Sequence, residues 1–180
     1  IDWMPMFRHK FHNLSLSGSV EHARQALAID DERLIFHPKI WDTRIKDYQT
    51  LKQVWFCGMH TDVGGGYKEQ ELSDIPLLWM IDEAKKASLR IYPENEVKIS
   101  PDPNGLMHDS RKGFPNSLYV KKVREWTQAT HGKPVVHESV LLRKLNKQNS
   151  TSTPYNPWIL NMDHEVEPWP ESLRTGYKVA

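Results

Sequence analysis

The 180-residue chain carries 24 basic and 23 acidic residues, a formal net charge of +1, and has no basic block. That balance argues against a nucleic-acid-binding protein. No apolar segment is long enough to cross a bilayer, and the single cysteine, Cys57, excludes an internal disulfide and a cysteine-based zinc cluster. The length suits one domain or part of a larger one, and the cytoplasm is the expected compartment.

The first predicted element is a helix over residues 19–27. Ser19 can act as its N-cap, acidic Glu21 suits the first turn, and Ala23, Ala26 and Leu27 continue it. Residues 30–47 combine a charged cluster with large apolar groups and are predicted to form an anchored loop without regular structure.

The central element is a short apolar run from Val54 to Cys57, which ends at Gly58. A nearly continuous apolar run predicts a strand buried on both faces, as in α/β folds. His60, Asp62 and three glycines follow it directly. Because ligands gather at the carboxyl ends of strands in open α/β sheets, this loop is the candidate functional site.

A helix is predicted after this loop. Ser73 or Asp74 can cap it, and Pro76 is tolerated in a first turn. One face of the helix is expected to carry Leu77, Ile81, Ala84 and Ser88.

The C-terminal half is less regular in pattern. Residues 100–117 hold three prolines and two glycines, which predicts a long surface connection. Pro134 introduces a second helix over residues 137–147. Its apolar residues are Val140, Leu141 and Leu145. From Asn149 the tail is polar and proline-rich, and its apolar anchors are Tyr155, Trp158 and Trp169.

His60 is the only one of nine histidines that lies between a buried-strand pattern and a glycine-rich turn. A neutral imidazole there can act as a general base toward a serine, if a carboxylate fixes its tautomer. A histidine that is merely hydrogen-bonded at a strand end fits the same pattern. The residues alone leave both interpretations open.

Asp62 has three possible roles: orienting His60, ligating a metal, or capping the turn before the helix. Gly64, Gly65 and Gly66 let a backbone approach an oxyanion or phosphate, but glycine also simply permits positive φ. No Lys-Ser or Lys-Thr follows them, so the loop is not a Walker loop.

Polar residues elsewhere in the chain are weaker candidates for a catalytic or metal site. His108, Asp109 and Ser110 are adjacent in sequence, so they are predicted to decorate a loop rather than form a triad. Metal binding by His60 and Asp62 with His108 or Asp109 is a minor alternative. No G-x-S-x-G nucleophile elbow occurs in the 180 residues.

Five ordered segments resemble an α/β-hydrolase-like family that includes the phospholipase effectors of type VI secretion systems. The longest and most specific is QVWFCGMHTDVGGGY, and the resemblance covers almost the whole chain. The segments are VEHARQALAIDDER (20–33), FHPKIW (36–41), QVWFCGMHTDVGGGY (53–67), LSDIPLLWMIDEA (72–84) and VHESVLLR (136–143).

The resemblance implies a single partial domain over residues 1–180: the C-terminal portion of an α/β-hydrolase-like domain of a serine hydrolase, with its last core strand, histidine loop and flanking helices. His60 matches the family's triad histidine, and Asp62 with Gly64, Gly65 and Gly66 would shape its loop. The serine and aspartate would lie upstream of Ile1, so the chain alone is expected to be inactive. The implied substrate is a carboxylic or phospholipid ester, with no cofactor or metal.

Three further expectations follow from this interpretation. The chain's partner would be the upstream part of the same domain, and secretion as an effector stays open beside the cytoplasmic assignment. Without upstream strands, the strand at 54–57 should have unpaired backbone groups and an exposed apolar face, so the fragment should associate. The alternative functions are a noncatalytic protein-interaction module on the same scaffold and a metal-dependent hydrolase.

Overall fold

The computed structural model describes residues 14–91, 98–114, 116–145 and 154–174. Over these ranges the chain forms a four-stranded, wholly parallel sheet in the order β1-β2-β3-β4, with α-helices after β2, β3 and β4. The predicted α/β class is confirmed. The strands are β1 His22–Ala28, β2 Thr50–Phe56, β3 Val135–His137 and β4 Glu165–Glu167; the helices are α1 His60–Gly64, α2 Glu71–Lys86, α3 Gln128–His131, α4 Glu138–Leu145 and α5 Glu171–Arg174.

The segment predicted as the first helix is strand β1, so that prediction is wrong. The strand pairs with β2 along its whole length, from His22 opposite Thr50 to Ala28 opposite Phe56. Alanine, glutamine and arginine favour helix locally, but pairing with a buried neighbour outweighs that weak preference. The loop that follows has only a short 3-10 turn at Leu34–Phe36, much as predicted.

Strand β2 lies between β1 and β3, and its apolar end, Val54 to Phe56, is buried on both faces, as predicted. Val54 is 0 %, Trp55 1 % and Phe56 1 % exposed. The expectation of an unpaired strand with an exposed apolar face is wrong, because β1 lies on one side and β3 on the other. Nor is β2 the last strand, since β3 and β4 follow it. The expected association of the fragment stays a prediction.

The two faces of the sheet pack against separate apolar clusters. Trp55 points to one face, where its ring makes edge-to-face contacts with Trp126 and Trp158. Phe56 points to the other, where its ring packs against Trp79 of α2. Alternation along β2 therefore places consecutive aromatic residues in different clusters.

Helix α2 is present, but three details of its prediction are wrong. It begins at Glu71, with Gln70 at the N-cap and no side-chain cap. Pro76 is therefore its sixth residue and lies beyond the first turn. Leu77 is 43 % exposed, and the buried apolar side chains of the helix are instead Leu72, Ile75, Pro76, Leu78 and Trp79. The sheet, rather than the 77-81-84-88 spacing, selects the buried face.

The C-terminal helix is confirmed as α4, although His137 belongs to strand β3. Val140 is fully buried, whereas Leu145 is 75 % exposed; residues 146 and 147 lie outside the described residues. The described part of 100–117 is irregular apart from the start of a 3-10 turn at Asn116–Leu118, as predicted. The tail contains β4 and α5, which were not predicted.

None of the helices in the described residues is long and apolar enough to cross a membrane.

Candidate functional site

The candidate site lies where the adjacent parallel strands β1 and β2 end. Strand β1 leads into Asp30 and Asp31, and β2 leads through Gly58 into α1, whose first residue is His60. Gly58 has φ +103°, and a Cβ added there would lie 2.5 Å from the Cβ of Asp62. The sharp exit from β2 therefore requires glycine at this position.

Three carboxylates bind the backbone of this turn. Asp30 Oδ2 accepts a hydrogen bond from the Gly58 amide at 2.6 Å. Asp31 Oδ2 accepts one from the His60 amide at 3.2 Å, and Asp62 Oδ2 accepts one from the Met59 amide at 3.0 Å. The turn before and at the start of α1 is thus fixed by side chains from the segment that follows β1 and from α1 itself.

The His60 side chain is exposed, and its ring lies 5.4 Å from the ring of Phe36, centroid to centroid. Among the described residues, none makes a hydrogen bond to its imidazole. The structure therefore holds His60 by its backbone amide and leaves its imidazole without a hydrogen-bond partner among the described residues. Such a ring can still accept a proton from one incoming group and donate to another.

Asp62 is buried, and its oxygens are bound by groups other than the His60 ring. Besides capping α1 at Met59, it accepts hydrogen bonds from the His108 amide at 3.1 Å and from His108 Nδ1 at 2.7 Å. The His108 ring also stacks on Tyr67, with 3.8 Å between centroids. His108 is therefore no loose loop decoration, contrary to the sequence prediction.

The neighbours of His108 in sequence face other partners. Asp109 Oδ1 accepts a hydrogen bond from the Arg111 amide, and Ser110 Oγ accepts one from the Glu32 amide. Each residue of the His-Asp-Ser string thus has its own structural contact, in keeping with the prediction that the string is not a triad.

The three consecutive glycines take different conformations. Gly65 and Gly66 have φ of +81° and +117°, a region that other residues rarely adopt. Gly64 ends α1, and a Cβ added there would meet no atom within 4 Å. The last two glycines redirect the chain from α1 toward α2.

The pKa values of Asp30 and Asp31 are shifted in opposite directions. Burial raises the pKa of Asp30 to about 6, although hydrogen bonds from the Gly58 amide and the Tyr155 hydroxyl oppose the shift. Burial also acts to raise the pKa of Asp31, but hydrogen bonds from the side chain and amide of Arg33 outweigh it and leave that pKa lowered. The guanidinium of Arg124 is buried beside this pair, and that burial lowers its pKa to about 10.

Sequence reasoning missed these aspartates because it assigned β1 as helix. Had β1 been recognised as a strand, Asp30 and Asp31 would have stood at its carboxyl end, as His60 stands beyond β2.

An open groove of about 700 Å³ runs beside the site along β1. Its floor includes residues 25–28, and its walls carry apolar side chains from the 3-10 turn, α1 and α2, among them Phe36, Val63, Leu77 and Met80. His60 lines the same groove. The geometry thus places an exposed imidazole at a cleft that is lined by both apolar and polar side chains.

The described residues contain no group of three or more histidine, cysteine, aspartate or glutamate side chains arranged to hold a metal ion. Although His108 contacts Asp62, the predicted alternative set with His60 does not assemble there.

Comparison with known families adds one observation. Residues 1–83 match the family model described as T6SS, phospholipase effector Tle1-like, catalytic domain. The suspected family is confirmed over these residues. No curated protein and no solved structure matches the chain.

The Tle1-like segment, residues 1–83, includes β1, β2 and α1 and most of α2. It therefore contains His60, Asp62 and the three glycines, together with Asp30 and Asp31. His108 and Tyr155, which bind Asp62 and Asp30, come from the part of the chain beyond the match.

Proposed function

We propose that this chain is the C-terminal part of a serine ester hydrolase domain of the phospholipase kind and that it contributes the triad histidine, His60. One observation carries the proposal. Within the Tle1-like segment, His60 presents an exposed imidazole beyond the end of the central parallel strand, and no described residue makes a hydrogen bond to it. That is the location and accessibility a general base needs.

The reaction would proceed by acyl transfer. His60 takes the proton from a serine hydroxyl as that oxygen attacks the ester carbonyl, and then donates it to the departing alcohol. Water attacks the acyl-enzyme in the second half, with His60 again as base. By the family's order, the serine and the aspartate that orients His60 come from residues preceding this chain.

The groove supports an ester with an apolar acyl group as substrate. Phe36, Leu77 and Met80 line it beside His60 and offer apolar contacts to an acyl chain, while polar side chains such as Gln70 and Arg124 line it as well. A phospholipid or other lipid ester has this chemistry. The mechanism requires no cofactor or metal.

Inactivity of the chain by itself is part of the proposal. Its 180 residues contain no G-x-S-x-G elbow, and an imidazole without a nucleophile cannot form an acyl-enzyme. The domain would become active only when the upstream part of the same domain is present.

The test uses the protein expressed from its complete reading frame, with p-nitrophenyl butyrate and phosphatidylcholine vesicles as substrates. His60→Ala should lower kcat by about a thousandfold or more, because loss of a triad member is among the largest single effects in such enzymes. His22→Ala is the matched control, since it removes an exposed imidazole that hydrogen-bonds Thr50 at the other end of β1. It should retain wild-type rates.

Other results would overturn the proposal. Full activity of His60→Ala would exclude this histidine as the base, and loss of turnover on adding a chelator would indicate the metal-dependent alternative. A complete protein that binds a partner protein but hydrolyses no ester would indicate the interaction module.

A further inference from the structure

His108 reaches the candidate site from a distant part of the sequence. It lies in the connection between α2 and α3, 46 residues after Asp62, yet its backbone amide and its Nδ1 both bind the Asp62 carboxylate. An ionised carboxylate only accepts, so Nδ1 is the donor. The Asp62 side chain is 2 % exposed and that of His108 is 23 % exposed, so solvent screens this contact little.

Asp62 in turn determines where α1 begins. Its Oδ2 accepts the Met59 amide, and its Cβ lies against Gly58 at the exit from β2. His60 is the first residue of α1, directly after Met59. Any displacement of the Asp62 carboxylate therefore moves the backbone that carries the His60 imidazole.

We propose that His108 is a positioning residue for His60, acting through Asp62. Because it donates two hydrogen bonds to a buried carboxylate and packs on Tyr67, it holds that carboxylate in the orientation that caps α1. The imidazole of His60 is thereby kept at one angle toward the groove. This inference rests on the proposed function of His60.

The surroundings of His108 argue against its being the base itself. Its ring does not line the groove, and one face is covered by Tyr67. Its Nε2 faces the carboxylate of Glu69, 3.9 Å from Oε2. His60, by contrast, lines the groove.

The test compares two substitutions in the protein expressed from its complete reading frame, with p-nitrophenyl butyrate as the ester. His108→Phe keeps a ring against Tyr67 but removes the Nδ1 donor. His108→Asn keeps an N–H donor close to the position of Nδ1. Small displacements of catalytic groups cost up to about a hundredfold in rate. We expect His108→Phe to lower kcat by about 10- to 100-fold with KM within about threefold of wild type, and His108→Asn to restore most of kcat.

Val140→Ala is the control for stability, because it removes buried side-chain volume from the core without touching the turn. It should lower the melting temperature and leave kcat unchanged at temperatures where the protein stays folded. A drop in kcat for His108→Phe but not for Val140→Ala separates positioning from general destabilisation.

Three results would overturn the inference. His108→Phe with kcat within about threefold of wild type would show that the contact does not position His60. Equal losses in the Phe and Asn variants would show that the donor is not what matters, and a loss in both as large as in His60→Ala would make His108 a catalytic base. Activity retained in His60→Ala would instead refute the proposed function on which the inference rests.

Discussion

The raised pKa of Asp30 makes a testable prediction about stability at the site. In the unfolded chain its carboxyl ionises near 3.8, whereas in the folded protein burial keeps it protonated up to about pH 6. Between these values the folded state binds more protons than the unfolded state, so the free energy of unfolding falls as pH rises. A pKa difference of about two corresponds to about 3 kcal/mol in the free energy of unfolding, and this stabilisation is lost between roughly pH 4 and pH 6.

Asp30→Asn removes the ionisation but keeps an oxygen that can accept from the Gly58 amide and the Tyr155 hydroxyl. The variant should therefore match the wild type near pH 4 and become more stable than it by up to about 3 kcal/mol at pH 7. Urea unfolding followed by tryptophan fluorescence, repeated from pH 4 to pH 7.5, gives the difference at each pH. Asp47→Asn, which removes an exposed carboxylate from a turn, is the control.

The decisive quantity is the slope of this difference with pH. A difference that stays constant from pH 4 to pH 7.5, or a variant that loses stability relative to the wild type as pH rises, would refute the assignment of Asp30 as a carboxyl kept neutral by burial.

Three further predictions concern residues around the sheet. Gly58→Ala should lower the free energy of unfolding by at least about 2 kcal/mol, because Gly58 has a φ of +103° and an added Cβ would lie 2.5 Å from the Cβ of Asp62. Gly64→Ala should leave the free energy of unfolding unchanged, and chemical denaturation of both variants measures the difference. Glu83→Gln should lower the free energy of unfolding by about 3 kcal/mol at pH 7, because three cations surround this buried carboxylate. Asp82→Asn, the control, should lower it by less than about 1 kcal/mol. Burial acts to raise the pKa of Glu83, but hydrogen bonds from the three cations lower it to about 2. The stability of the wild type should therefore decline from about pH 4.5 toward pH 2, and acid titration of Glu83→Gln should not show that decline. Burial raises the pKa of Cys57 to about 12, so iodoacetamide at pH 8 should label it only after unfolding; rapid labelling of the folded protein would contradict its burial.

The local sequence pattern identified the stretches in which consecutive residues share one environment. The end of strand β2, from Val54 to Phe56, is buried on both faces, so its apolar run was recognisable without knowledge of its neighbours. The presence of helices α2 and α4 was also predicted, although the predicted cap and buried face of α2 were wrong. The exposed position of Leu77 was not predictable, because which stripe of α2 is buried depends on where the sheet lies.

Strand β1 and the two short strands, β3 and β4, could not be recognised from local sequence pattern. The residues of β1 have helical preference, and only the register with β2 makes them extended. Strands β3 and β4 have three residues each, too few to show a period. Their existence follows from the partners they pair with rather than from their own composition.

The sequence by itself determined the α/β class, the central buried strand and the histidine that follows it, because these depend on contiguous residues and a contiguous motif. Only the tertiary structure decided the partners of that turn: Asp30 with Gly58, Asp31 with the His60 amide, and Asp62 with His108. The physical reason is that hydrogen bonds between residues dozens of positions apart depend on how parallel strands and long loops bring their ends together, which local patterns do not specify.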